Sequence, residues 1–211
     1  MNGNLLTTER NRLYVYIAVL MTLVVPAPGR FVYGLLLAAE LNLLVLAGTL
    51  MNALVNRLGF QRLRSSVLFI LTTSLAIIFR QILAVTCTEA ALVLGFVIYL
   101  PAFSVLLIDF LMTDVDAPLP ARLRGNCIPV LRISMAVLVI FLFRDLAGFG
   151  TFTFFGKDHC IQEFVLVRTD TAGISALWAT VPGAFILSAV ILLVYTAASG
   201  KFSIAGRAGL K

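Results

Sequence analysis

The chain reads Phe143-Arg144-Asp145-Leu146-Ala147-Gly148-Phe149-Gly150-Thr151 at the end of an apolar run that begins at Cys127. A run of this kind reaches the roughly 20 residues that a helix needs to cross the hydrocarbon of a bilayer. An arginine and an aspartate at its end are expensive in lipid unless protein or interfacial water receives them, so something in the fold has to meet them. Arg144 and Asp145 are therefore read as structural, holding the outer end of this helix. Gly148 and Gly150 are read as permitting a tight turn or a close helix contact rather than binding a ligand.

The rest of the chain is of the same character. Hydrophobic residues make up 61% and charged residues 12% of the 211 residues, half the charge expected of a soluble domain, so the solvent is mostly lipid. Nearly everything lies in apolar runs or short connectors, which implies a single integral membrane domain over residues 1–211. The formal net charge of +6 could suggest nucleic acid, but the basic residues cluster between apolar runs and follow the positive-inside rule. Nucleic acid is therefore not an expected partner; the lipid bilayer is.

Six membrane-length segments are expected, giving an all-α polytopic fold. The first, Leu13 to Val25, is short and stops at Pro26 and Pro28; it is read as a short or broken first helix rather than a cleaved leader. The second runs from about Phe31 to Asn56, with Glu40, Leu44, Gly48, Asn52 and Asn56 along one ridge that should face protein. The third spans Ser66 to about Thr86 and carries Arg80 and Gln81. Glu40 lies 21 residues before Gln61 and Arg80 lies 19 after it, so an antiparallel hairpin predicts that they pair or share a polar cavity. The fourth, about Ala90 to Met112, contains Gly95 and a central Pro101, where a kink or break near mid-membrane is expected. Asp109 at its exit and Arg132 early in the fifth segment form a second candidate pair. The longest loop follows Gly156, and the last segment, about Gly173 to Ala198, contains Pro182 and Gly183.

Six spans put Arg10, Arg12, Arg57, Arg62, Arg64, Arg122, Arg124, Lys201, Arg207 and Lys211 on one side, against Arg30, Lys157 and Arg168 on the other. That asymmetry predicts cytoplasmic termini at both ends. Three spans on each side of Cys87 make any structural repeat an inverted one, and Val25-Pro26-Ala27 and Leu100-Pro101-Ala102 are equivalent interruptions in the two halves. Paired interruptions point to a midplane site; the alternative is that both prolines merely kink ordinary helices. Glu40 is the acid most in need of a partner or a purpose.

Cys87, Cys127 and Cys160 are far apart, with no CxxC pair and one histidine, His159, so a metal site is not expected. A Cys87–Cys160 bond in an oxidising periplasm is left open. A membrane hydrolase is disfavoured because the histidine lies in a loop with no nucleophile at a characteristic spacing.

The segment 143–151, Phe155-Gly156, and later Val181-Pro182-Gly183-Ala184-Phe185-Ile186 resemble the tail of the small six-helix membrane subunits of Rnf and Nqr complexes, closest to the Rnf E (Nqr D) subunit and related also to Rnf A (Nqr E). Leu94 to Pro101 resembles that family's fourth helix. The resemblance implies a bacterial inner-membrane complex coupling ferredoxin- or NADH-linked electron transfer to Na+ or H+ movement, with an inverted paralogue among its membrane subunits and with flavin and iron-sulfur groups in partners. It also implies an intramembrane iron-sulfur centre, but the positions matching its cysteines are Val25 and Leu107 here, and neither can ligate iron. No cofactor is expected on this chain. The alternative is a small secondary transporter with a midplane solute or ion site lined by Glu40, Asn52, Arg80 and Gln81.

Overall fold

The computed structural model describes residues 16–59, 61–112, 118–156, 161–166 and 174–198. It is mostly helical. In chain order the elements are α1 (16–24), α2 (Phe31–Arg57), α3 (Arg64–Thr86), α4 (Thr88–Leu94), α5 (Leu100–Met112), α6 (Leu119–Phe149), β1 (Thr151–Phe155), β2 (Ile161–Val165), α7 (Ile174–Ala179) and α8 (Val181–Ala198). A 3-10 turn over Val97–Tyr99 leads into α5. Three helices, α2, α3 and α6, are long and apolar enough to cross a membrane. Counting the bent pair of α4 with the segment from Val97 as one span makes four.

Helix α2 is the hub. It packs most extensively on α6 and also against α3, α5 and β1. Its buried face carries Leu37, Leu41 and Leu44 against Val137, Ile140 and Phe141 of α6, none of them reached by solvent. The helices run antiparallel, as three polar or close contacts along them show. Gly34 lies so close to the Phe141 ring that a Cβ would overlap it. Further inward, Asn42 Nδ2 donates to Ser134 Oγ at 2.7 Å, and Asn126 Nδ2 donates to Thr49 Oγ1 at 3.2 Å. By contrast, α3 presents Ile70, Ile77, Ile78, Ile82 and Val85 outward, as a helix does when one side faces a hydrocarbon solvent.

The interruption of the fourth segment is present but is not made by Pro101. Helices α4 and α5 are bent by 79° at Gly95, whose φ of +49° is one that side-chain-bearing residues rarely adopt. Pro101 instead sits in the first turn of α5, where its missing N–H would have had no helical partner. Proline there starts the second half-helix; glycine ends the first.

Three further boundaries differ from the sequence expectation. Helix α6 begins at Leu119, well before Cys127, because Pro118 is its N-cap and Pro120 lies in its first turn, both positions that tolerate proline. Internal Pro129 gives up one backbone bond without ending the helix. The last segment is itself divided at Thr180 into α7 and α8. The loop after Gly150 is not purely loop: β1 and β2 pair antiparallel, with Thr151 opposite Val165 and Phe155 opposite Ile161. The chain is mostly helical as expected and adds this hairpin, whose aromatic and β-branched residues suit a small two-stranded sheet. Gly150, at φ +65°, closes α6 as a left-handed C-cap and turns the chain into β1.

Candidate functional site

The candidate site has two parts, a locked joint and a buried acid about two to three turns along α2 from it. The joint follows from unmet backbone groups. Helix α1 stops at residue 24 and the chain bends through Val25, Pro26 and Ala27, so carbonyls at the end of α1 lose their helical donors. Helix α7 ends at Ala179 with the same deficit. Helix α2 starts after Arg30 with no side-chain cap of its own.

Arg144 meets the carbonyls. Its Nη1 donates to Val24 O at 2.9 Å and Ala27 O at 3.1 Å. Its Nε donates to Trp178 O at 3.3 Å, and its Nη2 to Ala179 O at 3.0 Å. The side chain is 1% exposed and its guanidinium also sits over the Phe141 ring, 5.6 Å from the centroid. Only a planar fork with five donors can serve two chain ends at once, and a cation is what the negative ends of helices favour.

Asp145 meets the amides. Its Oδ2 accepts from Phe31 N at 3.2 Å, Thr153 N at 2.8 Å and Thr153 Oγ1 at 2.7 Å, while Oδ1 accepts from Thr151 Oγ1 at 2.9 Å. The Thr153 hydroxyl in turn accepts from Val32 N at 3.4 Å. The missing N-cap of α2 is thus supplied from residues more than a hundred positions away, the function that a local Ser or Asp performs in most helices. Thr151 and Thr153 point inward together because alternate residues of a strand share a face.

Close approach completes the joint. A Cβ on Gly148 would lie 2.9 Å from the Ala179 amide nitrogen, and one on Gly183 would strike the Leu177 carbonyl. Pro182 occupies the first turn of α8, where it costs no helical bond. Trp178 packs edge-on against Phe143, with centroids 5.7 Å apart. At the rim, Arg30 forms an ion pair with Glu163 of β2 and lies over the Phe149 ring.

The buried acid is Glu40. It is 0% exposed, and neither carboxyl oxygen has a hydrogen-bond partner among the described residues. The expected pairing with Arg80 is not found: the Arg80 Nε is likewise without a partner, and the only ion pair among the described residues is Arg30–Glu163. The reason is register. A Cβ on Gly48 would lie 3.2 Å from Leu68, which sets residues of α2 and α3 opposite each other about one turn away from the spacing counted through Gln61. Ala76, fully buried, then stands across from Glu40.

The remaining sequence candidates scatter. Asn52 is buried on the Glu40 ridge, whereas Gln81 is exposed. Arg132 is exposed and lines a cavity of about 80 Å3 with Tyr16, Leu20 and Ile191, on another side of α6. Asp109 belongs to α5, and its side chain lies outside the described residues, so the Asp109–Arg132 pair does too. Val25 sits in the bend after α1 and Leu107 in α5. Cys127 is a free thiol. Cys87 is buried and disulfide-bonded, and Cys160 lies outside the described residues.

What the sequence did not reveal is the role of Thr151 and Thr153 as carriers of the α2 cap, and of the Val24, Ala27, Trp178 and Ala179 carbonyls as acceptors. The one available signal was the uncapped start of α2 after Pro28-Gly29-Arg30. Compared with known proteins, the chain matches no family model and no curated protein.

Proposed function

We propose that this chain is a membrane subunit of an Rnf-like ion-translocating electron-transport complex, acting as scaffold or ion path and carrying no iron-sulfur cluster of its own. In this reading the chain lies in the bacterial inner membrane with six spans, as a 3+3 inverted repeat with both termini cytoplasmic. Electrons pass through flavin and iron-sulfur groups of its partners, one of them an inverted paralogue.

The observation that carries the reading is the convergence of its motif residues. Arg144 and Asp145 from one motif and Gly183 from the other, far apart in sequence, belong to one buried joint that closes the first break and docks α7 on α6. The second break supports a need for partners. Leu92 and Phe96 beside Gly95 are 74% and 69% exposed, and irregular backbone at membrane depth survives only against protein or around a cavity. The test is isolation of the chain from its native membrane under mild conditions. Copurification with flavin- and iron-bearing membrane subunits is the expected result; a chain that purifies alone, with no redox partner in any detergent, refutes it.

A second reading, a small secondary transporter, draws on Glu40, since a buried acid at membrane depth marks ion paths in general. Solute or ion uptake by the isolated chain in liposomes favours it over the first.

A further inference from the structure

We propose that Glu40 is a resident proton-binding site of the bundle, exchanging its proton with the inner membrane face and not binding a metal cation. The inference deepens the ion-path reading of the chain and rests on it.

Depth comes first. Glu40 lies nine residues into α2, ~14 Å from its outer end at the helical rise, in the middle of the hydrocarbon. A carboxylate there with neither oxygen bonded is among the costliest groups a fold can bury, whereas the neutral acid is far cheaper. No charged group on the elements packed around α2 forms an ion pair with Glu40 among the described residues. Of the elements packed on α2, β1 carries none. Helix α3 brings Arg64 and Arg80 near its two ends, and α5 brings Asp109 near its inner end. Helix α6 brings Arg122, Arg124 and the outward-facing Arg132 in its inner half, and Arg144 and Asp145, committed to the joint, at its outer end. None of them forms an ion pair with Glu40.

A second, independent feature stands at the same level. A Cβ on Gly48 would lie 3.3 Å from Val105 of α5; eight residues outward on α2 is Glu40, and eight residues back along the chain from Val105 is Val97, in the break after α4. Val97 and Ile98 are buried. By residue count the break after α4 therefore lies near the level of Glu40, its buried turn packing on α3 and α5.

Polar side chains lie on both sides of Glu40 along α2. Inward from Glu40 come the Asn42–Ser134 bond, the Thr49–Asn126 bond and buried Asn52. Around Gly48, Thr49 and Asn126 there is a void of about 10 Å3, close to the volume a single water needs. Outward come Leu37 and Leu36, the Gly34–Phe141 contact, buried Tyr33 and then the locked joint. A proton moving between Glu40 and these inward groups needs water for its first step, since none of them lies within hydrogen-bond range of the carboxyl. A metal cation would need several oxygens converging on the carboxyl, and no hydroxyl or amide among the described residues lies within hydrogen-bond range of it.

The experiment uses the full chain in sealed membrane vesicles and a lipid-soluble carbodiimide, which modifies protonated carboxyls, with the modified peptide identified by mass spectrometry. The expected result is modification at Glu40 that falls at least tenfold as the pH on the inner face is raised, and that sodium leaves unchanged at fixed pH. Protection by sodium overturns the proposal in favour of a cation site. Dependence on outer rather than inner pH overturns the inward path. Absence of modification at Glu40 at every pH, with Glu163 modified by a water-soluble carbodiimide as control, overturns the proton site altogether. The readout needs no partner subunit, so it fails or succeeds separately from copurification. In Glu40→Gln, the infrared band of a protonated carboxyl present in the parent chain should be lost; a band that persists unchanged also refutes the assignment.

Discussion

Arg144 and Asp145 are adjacent and both buried, yet they are not partners of each other: the arginine bonds four carbonyls at the ends of α1 and α7, and the aspartate bonds the amides and hydroxyls that start α2 and β1. Opposite charges on consecutive residues are thereby aimed at opposite ends of helix dipoles. Interrupting a membrane helix frees backbone groups that lipid cannot satisfy, and this dipeptide receives those freed at one such interruption.

Replacing Arg144 by Leu should be severely destabilising, by about 3–5 kcal/mol, because it orphans four carbonyls, those of Val24 and Ala27 fully buried. Arg144→Lys should recover part of that, since an ammonium offers three donors at a point and cannot span two chain ends. Thermal unfolding in detergent measures both, and equal loss in the two variants would contradict the fork geometry.

Thr153→Val should cost about 1–2 kcal/mol, one hydrogen bond to a charged group plus the acceptor for Val32 N. The same change at Thr73, which lines the lipid-side cavity of about 230 Å3 between α3 and α5, should be near neutral. Hydrogen exchange of the first amides of α2 distinguishes them: it should quicken in Thr153→Val alone.

Glycine substitutions should separate by what the new methyl meets. Gly183→Ala meets the Leu177 backbone carbonyl, which cannot step aside, so it should open the α7–α8 elbow and lower the melting temperature, at a cost of about 1–3 kcal/mol. Gly48→Ala meets only the ends of Leu68 and Val105 and should cost under about 1 kcal/mol. Gly95→Ala meets only the Leu92 carbonyl oxygen at an ordinary 3.6 Å but keeps a positive φ, a penalty of about 1–2 kcal/mol.

Reduction should shift the gel mobility of the unreduced chain, and Cys87→Ser should abolish that shift while Cys127→Ser leaves it intact. Loss of the bond should cost about 2–5 kcal/mol. A shift that survives Cys87→Ser would place the disulfide elsewhere.

Composition and segment length determined that this is a helical membrane protein, because hydropathy is a property of local runs that no tertiary context reverses. The same local logic located the first break near Pro26, where two prolines and a glycine follow a short apolar run, and marked Arg144 and Asp145 as charges that something must receive. The tertiary structure alone decided what receives them, because the acceptors are backbone atoms of α1, α2 and α7, which no residue type advertises. It moved the second break from Pro101 to Gly95, since proline in a first turn is harmless and only backbone dihedrals tell the two positions apart. It also separated Glu40 from Arg80: a shift of one helical turn in the packing of α2 on α3 is invisible to residue counting, yet enough to leave an acid in the bundle without a base.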